Sequence, residues 1–172
     1  MRQVEGRSAD RIILGLDPGL ARLGFAVIAA RNDALHALCH GVFKTDAQEG
    51  EATRIEQLVQ QVESLIDEYD IDEAALEELF FSRNVSSALK VAQVRGALLF
   101  TLKRAGIPLV ALAPNTVKRS VCGHGRASKQ EVARMSALRL GLAEAPRNAD
   151  EADALAIAIT ASQRVHLPSE IA

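Results

Sequence analysis

The last hydrophobic segment of the chain restricts the possible folds more than any other feature. Nine of the thirteen positions from Ala149 to Ala161 are apolar, and the capping sequence Asn148-Ala149-Asp150-Glu151 predicts a helix that runs from there to about Arg164. A helix that is apolar on all sides packs inside a protein and does not lie on its surface. The rest of the chain must therefore enclose this helix.

The other patterns predict five strands and three further helices. Arg11–Leu16, Gly24–Ala30 and Leu35–Phe43 are apolar runs on short connections, the first of which ends at the Asp17-Pro18-Gly19 turn sequence. Three such neighbours predict an antiparallel meander. The remaining predictions are a helix over Glu51–Tyr69, a strand over Asp72–Phe81, a helix over Asn84–Ala105, a strand over Leu109–Leu112, a helical turn over Asn115–Ser120 and a helix from Ser128 to about Leu140. This order predicts an α/β fold with a mixed five-stranded sheet flanked by helices.

Length and composition indicate one soluble domain. The 172 residues are 48% hydrophobic and 24% charged, which is ordinary for a globular protein. We assign the domain to residues 11–165, after a charged extension over 1–10 that we expect to be disordered and before a tail over 166–172. No apolar run reaches the roughly 18 to 20 residues of a transmembrane helix, and residues 1–10 lack the apolar core of an export signal. We therefore expect a cytoplasmic protein.

Two cysteines, Cys39 and Cys122, are widely separated and are interpreted as reduced thiols. Each lies close to a histidine, His40 and His124, but these spacings fit no zinc pattern. We expect both cysteines to be small buried hydrophobic residues.

The net charge of −2 conceals an uneven distribution. Residues 82–147 hold twelve basic and two acidic side chains, a charge of +10, which leaves 8 of the 20 basic and 20 of the 22 acidic residues to the remainder, a charge of −12. The basic segment is typical of nucleic-acid binders. Solvated helix faces would explain it equally well, so the interpretation depends on the acidic residues.

Several carboxylates coincide with apolar elements. Asp150 and Asp153 share one face of the final helix, although the helix dipole also explains acidic residues there. Asp17 ends the first strand, where Asp-Pro-Gly also forms turns. Glu77 and Glu78 interrupt an apolar strand, and alternation sends them to opposite faces without identifying the functional one. Together these elements would form an oxygen-ligand site suited to Mg²⁺ or Mn²⁺, and two such ions support phosphodiester hydrolysis.

Three motifs resemble one known family in order and spacing. They are Ile13-Leu14-Gly15-Leu16-Asp17-Pro18-Gly19; Leu76-Glu77-Glu78-Leu79-Phe80 with Arg83-Asn84 and Ser87-Ala88-Leu89-Lys90; and Ala149-Asp150-Glu151-Ala152-Asp153-Ala154-Leu155-Ala156. Over about residues 12–160 the chain resembles the RuvC Holliday junction resolvases. The resemblance implies an RNase H-like fold. It also implies divalent-metal-dependent, symmetric cutting of two opposed strands of a four-way DNA junction, which leaves 5′-phosphate and 3′-hydroxyl ends.

The resemblance assigns the catalytic carboxylates residue by residue. They match Asp17, Glu77, Asp150 and Asp153, which favours Glu77 over Glu78, and they imply two Mg²⁺ or Mn²⁺ ions in each active site. Asp17 would be the ligand that the ions share. Some relatives have histidine at the position of Asp150, so its identity is the least fixed by the resemblance.

Basic and aromatic residues complete the implied site. Family basic positions match Lys118 and Lys129, which would neutralise phosphate charge, although ordinary surface charge would also explain them. Phe80 could stack on an unpaired base, with core packing an equal alternative for it and the preferred one for Phe81. The predicted DNA-binding residues are Phe80, Arg83, Lys90, Lys118, Arg126 and Lys129.

The resemblance also implies a symmetric homodimer. The apolar surface of the helix over Asn84–Ala105 is broader than one sheet contact uses, so a two-fold contact is plausible, as is a helix buried on two sides. Its apolar positions are Val85, Ala88, Leu89, Ala92, Gly96, Leu99 and Phe100. The RuvA–RuvB branch-migration complex is a candidate further partner, and we expect no membrane contact.

Three other functions compete with this interpretation. A sugar-kinase or actin-like ATPase shares the core topology, but it uses two such domains and a hydroxyl residue that Asp17-Pro18-Gly19-Leu20-Ala21 lacks. A junction-binding scaffold without catalysis predicts missing carboxylates, and all four are present. An RNA-directed nuclease of the same fold shares the Asp-Pro-Gly strand end, but the Phe80 region and the basic segment favour the junction enzyme.

Overall fold

The computed structural model describes residues 11–32, 34–78 and 85–164, and the predictions made for residues 1–10, 79–84 and 165–172 lie outside these ranges. The described elements are β1 (Arg11–Asp17), β2 (Arg22–Arg31), β3 (Ala34–Lys44), α1 (Glu51–Glu68), β4 (Glu73–Glu77), α2 (Val85–Arg104), β5 (Leu109–Leu112), α3 (Pro114–Cys122), α4 (Lys129–Leu140) and α5 (Ala149–Ser162).

The strands form one mixed sheet with the order β3-β2-β1-β4-β5. β1 pairs antiparallel with β2, and β2 pairs antiparallel with β3. β4 is parallel to both β1 and β5. The predicted five-stranded sheet with an antiparallel first half is confirmed, and the two parallel strands β1 and β4 end side by side at the same edge.

Alternation along the strands divides the core into two layers. Ile13, Ala26 and Ala75 belong to the cluster that contains α5, whereas Leu14 and Leu76 belong to the cluster formed with α1 and α2. From position 152 to position 161, α5 is buried at every residue except Asp153. The prediction of an interior final helix is therefore confirmed, with the sheet on one side of it and α3 and α4 also in contact with it.

Two glycines allow α5 to approach the sheet closely. A Cβ atom added at Gly15 would overlap the carbonyl oxygen of Ala154 and would lie 2.7 Å from the backbone nitrogen of Ala158. A Cβ atom added at Gly24 would overlap the carbonyl oxygen of Asp150. Any side chain at these two positions would push the helix away from the strands, so the glycines fix the distance between α5 and the sheet.

Some predicted boundaries are wrong, each for a local reason. β4 ends at Glu77, where it loses its partner strand because β5 ends at the paired Leu112. The predicted helical turn extends into α3, which Gly123 terminates in the left-handed conformation that glycine tolerates. α5 ends at Ser162, where the Arg11 side chain donates hydrogen bonds to the last carbonyl groups of the helix.

The burial predicted for the cysteines is wrong. Cys39 lies on the edge strand β3 and Cys122 at the last position of α3, so each is only half-buried. The two nearby histidines bind carboxylates: His40 lies 2.6 Å from Glu151 and His124 lies 3.0 Å from Glu131.

Ser128 and Asn148 cap the first turns of α4 and α5, as predicted. The Ser128 hydroxyl accepts a hydrogen bond from the Glu131 backbone at 3.2 Å, and the Asn148 side chain accepts one from the Asp150 backbone at 3.0 Å. These contacts fix where α4 and α5 begin. Over the three described ranges, no helix has the length and apolar character needed to cross a membrane.

The close approach of α5 gives the first prediction. Gly15→Ala should lower the free energy of unfolding by about 1 to 3 kcal/mol, because an overpacked core must shift α5. The matched control is Gly96→Ala on α2, where an added Cβ meets nothing within 4 Å and should raise stability by about 0.5 to 1 kcal/mol. Urea unfolding measures both variants, and equal effects would contradict the close packing.

Candidate active site

Two carboxylates lie at the paired ends of neighbouring strands. Leu16 of β1 pairs with Leu76 of β4, so Asp17 and Glu77 follow at equivalent positions. Strand alternation puts both on the face that packs against α5, whereas the next residue, Glu78, is on the opposite face and exposed. This geometry favours Glu77 over Glu78, as the resemblance implied.

The first turn of α5 brings two more carboxylates to the same edge. Asp150 and Asp153 lie on one side of this turn, and the Asp150 backbone contacts β2 at Gly24, the residue that pairs with Asp17. The helix dipole stabilises negative charge in this first turn. The fold therefore assembles the four predicted carboxylates from β1, β4 and α5 at one end of the sheet.

Among these carboxylates, Asp17 has the largest shift in pKa. Its pKa is raised to about 7, first because burial removes water from the carboxylate and then because Asp153, Glu77 and Asp150 repel its charge. Lys129 acts in the opposite direction. Without a bound cation, Asp17 is thus close to half-protonated at neutral pH.

Two lysines moderate the charge of the neighbouring carboxylates. Burial raises the pKa of Glu77 and Asp153 adds to this effect, while Lys129 and Lys118 lower it. Lys129 donates a hydrogen bond to Asp153 at 3.1 Å, and this bond raises the pKa of the lysine. Both predicted phosphate-binding lysines are thus close enough to act on the carboxylates.

A second cation contacts the other aspartate of α5. Arg22 Nε lies 2.9 Å from Asp150 Oδ2. Within the described part of the chain this oxygen is buried and accepts no hydrogen bond, because the arginine is near enough for an ion pair but not aligned for a hydrogen bond. Asp150 Oδ2 therefore keeps an unused acceptor position inside the site.

The sequence interpretation missed Arg22 and Gly24. A signal for Gly24 existed, since glycine inside a strand often marks the close approach of another backbone. No comparable signal singled out Arg22, because its position at the start of a strand is common for a basic residue. Only the contact between β2 and α5 brings it to Asp150.

Two other predicted DNA-binding residues, Lys90 and Arg126, do not contribute to the pKa shifts of Asp17 and Glu77. Lys90 is exposed on α2 and Arg126 is exposed on the connection between α3 and α4. Phe80, Phe81 and Arg83 lie outside the described residues.

Beside the carboxylates there is a cleft lined by Lys129, Gln130, Ala133, Pro146, Arg147, Asn148, Ala149, Ala152 and Asp153.

The donor set is that of a site for hard cations. Carboxylate oxygens are the ligands that Mg²⁺ and Mn²⁺ prefer, and the buried, unsatisfied oxygen of Asp150 is suited to such an ion. In the described residues, no three acidic, histidine or cysteine side chains already converge as a ligand set, and Arg22 and Lys129 form ion pairs with the two aspartates of α5. The chemistry of the residues fits a divalent cation.

Fold and site together define a nuclease of the RNase H-like class, with carboxylates at the ends of β1 and β4 and in the first turn of α5. The family model described as crossover junction endodeoxyribonuclease RuvC matches residues 13–161. A RuvC of this description from Heliobacterium modesticaldum is 43% identical over 148 residues, which is 86% of this chain and 91% of the relative. The chain therefore belongs to the RuvC family of crossover junction endodeoxyribonucleases, enzymes that resolve four-way DNA junctions.

Solved structures agree with this assignment. Thermus thermophilus RuvC in complex with a Holliday junction substrate is 39% identical, with a TM-score of 0.83 over 87% of this chain and 92% of that one. A yeast mitochondrial Holliday junction resolvase is 16% identical, with a TM-score of 0.64 over 87% of this chain and 77% of that one, and supports the fold alone.

The raised pKa of Asp17 predicts how stability depends on pH. The folded protein holds this proton more tightly than the unfolded chain, so stability without metal should fall as the pH rises from about 3.8 to about 7. Asp17→Asn removes this penalty and should be more stable than the wild type by a few kcal/mol at pH 8, with the difference shrinking towards pH 4. Urea unfolding in EDTA measures both proteins, with exposed Glu78→Gln as the control. Parallel pH profiles for Asp17→Asn and the wild type would contradict the assigned charge crowding.

Proposed function

We propose that this chain resolves four-way DNA junctions in recombination and repair by hydrolysing phosphodiester bonds with Mg²⁺ or Mn²⁺ held by Asp17, Glu77, Asp150 and Asp153. The observation that carries the proposal is that the four carboxylates lie at one end of the sheet, where burial and then repulsion from Asp153, Glu77 and Asp150 raise the pKa of Asp17 to about 7. A divalent cation would relieve that repulsion.

The strand or helix that carries each carboxylate determines its proposed role as a metal ligand. Asp17, between β2 and β4 in the sheet and repelled by the other three carboxylates, is the best placed to share two ions. Glu77 would bind from β4, and Asp150 and Asp153 from α5. Two ions held by these residues would supply the activation of a water and the charge stabilisation of the leaving 3′ oxygen, and each cut would leave 5′-phosphate and 3′-hydroxyl ends.

The two lysines would act on the substrate. Lys129, which holds Asp153 in the free protein, has an exposed side chain that can transfer to a phosphate oxygen. Lys118 of α3 lowers the pKa of Glu77 through its positive charge and would neutralise charge near the cut. Lys90 and Arg126, both exposed, would contact the DNA backbone further away, and Phe80 and Arg83 complete the proposed DNA-binding set.

We further propose a symmetric homodimer through α2. Val94, Leu98 and Leu102 bury one side of this helix within the domain. On another side, Val85, Leu89 and Phe100 are 61 to 66% exposed, which is unusual for large hydrophobic residues on one helix. An isologous contact through this face would cover it and supply two active sites for the two opposed strands.

We also propose a cellular compartment, a further partner and a domain division for this chain. Two free cysteines are consistent with a reducing compartment, and we place the protein in the cytoplasm. A RuvA–RuvB branch-migration complex is the proposed further partner. We also keep the proposed division into an extension over 1–10, a nuclease domain over 11–165 and a tail over 166–172.

The carboxylates give a direct test of hydrolysis. Asp17→Asn and Glu77→Gln should each lower the rate of junction cleavage in Mg²⁺ or Mn²⁺ by at least about a hundredfold while junction binding persists. Glu78→Gln is the matched control, since this neighbour of Glu77 lies on the opposite face and is exposed, and it should cleave like the wild type. The assay compares a mobile four-way junction, plain duplex and an RNA hairpin. Cleavage that survives Asp17→Asn would reject the metal site, and preference for the hairpin would reject the junction as substrate.

The lysines give a test of phosphate contact. Lys118→Ala with Lys129→Ala should weaken junction binding or slow cleavage, and the dependence of affinity on salt should become shallower by about one unit for each lost contact. Lys103→Ala, which removes one positive charge at the exposed last turn of α2, is the control for each lysine and should change neither slope nor rate. An unchanged slope in the double variant would assign both lysines to the solvated surface.

A further inference from the structure

Arg22 occupies a defined position beside the site. It begins β2 two residues before Gly24, on the strand face that meets α5. Because the Asp150 backbone lies directly against Gly24, the Arg22 side chain needs only to cross the first turn of α5 to meet the Asp150 carboxylate. The contact thus follows from the packing of α5 on the sheet.

Arg22 and Asp150 differ in their exposure to solvent. The Arg22 side chain is 56% exposed, whereas Asp150 is 24% exposed and its Oδ2 atom is fully enclosed. This oxygen receives the charge of Nε at 2.9 Å but no aligned hydrogen bond. A buried carboxylate oxygen that accepts no hydrogen bond gains more from direct contact with a cation. An exposed guanidinium can turn towards another anion.

We propose that Arg22 is a positioning residue that competes with the divalent cation for Asp150 and takes a DNA backbone phosphate once the cation has replaced it. This inference rests on the proposed function, because it assigns Asp150 to the cation. A divalent ion and a guanidinium cannot share Oδ2 without strong like-charge repulsion. The displaced guanidinium would then lie beside the scissile region with its planar donors available for phosphate.

The exchange would couple the two ligands of the enzyme. Cation binding would free Arg22 for DNA, and a phosphate that draws Arg22 away would free Asp150 for the cation. Such coupling is reciprocal by thermodynamic necessity, so each ligand strengthens the binding of the other. Lys129 makes the corresponding contact with Asp153, so both aspartates of α5 are held by protein cations before the metal arrives.

The test uses Arg22→Gln in the full-length protein, at a pH of about 8 so that Asp17 is mostly ionised. Calorimetric titration of Mn²⁺ without DNA should show tighter binding than the wild type, by up to about fivefold, the range expected for an exposed ion pair. Junction cleavage under single turnover should reach half its maximal rate at a lower Mn²⁺ concentration but a higher junction concentration, with the maximal rate retained. If the substitution instead disturbed the packing around Asp150, the binding of both Mn²⁺ and the junction would become weaker.

Two variants separate this exchange from a general charge effect. Lys44→Gln removes one positive charge from the residue paired with Arg22 across β2 and β3, and it should leave Mn²⁺ affinity near the wild-type value. Arg22→Lys keeps the charge and should restore Mn²⁺ binding towards the wild-type value. Mn²⁺ affinity that is unchanged or weaker in Arg22→Gln, or equally tightened in Lys44→Gln, would overturn the inference. Failure of the wild type to bind Mn²⁺ would instead overturn the proposed function.

Discussion

The contact between α5 and the sheet determines most of what this protein can do. α5 is continuously apolar from Ala154 to Ile159 and can only be stable when this part is covered, and Gly15 and Gly24 let its backbone rest directly on β1 and β2. The same contact carries the first turn of the helix to the strand ends, so Asp150 and Asp153 meet Asp17. The hydrophobic packing that stabilises the fold is thus also what assembles the site.

The assembled carboxylates are costly for the folded protein without a cation, and the chain offsets that cost in two ways. Arg22 and Lys129 form ion pairs with the aspartates of α5 at 2.9 and 3.1 Å. Asp17 is left with a pKa of about 7, so part of the population carries a proton there. In the proposed function, a divalent cation would replace these contacts, and metal binding, the release of basic side chains and the approach of phosphate would be linked.

Much of this was predictable from the sequence. Apolar periodicity located the sheet and the buried helix, and the order of the motifs identified the family and predicted which carboxylates form its site. What the sequence could not provide was contact between distant segments. Periodicity could not choose between Glu77 and Glu78, whereas pairing with β1 puts Glu77 on the face towards α5. It could not assign Arg22 either, because only the packing of α5 against Gly24 brings Asp150 to it.

The most direct test of the central claim is a crystal structure of the protein grown with Mn²⁺, with the ions located by their anomalous scattering. We expect anomalous peaks bounded by Asp17, Glu77, Asp150 and Asp153, with the Arg22 and Lys129 side chains moved away from their aspartates. Mn²⁺ bound elsewhere on a protein that still cleaves junctions, with the four carboxylates left as they are without metal, would contradict it.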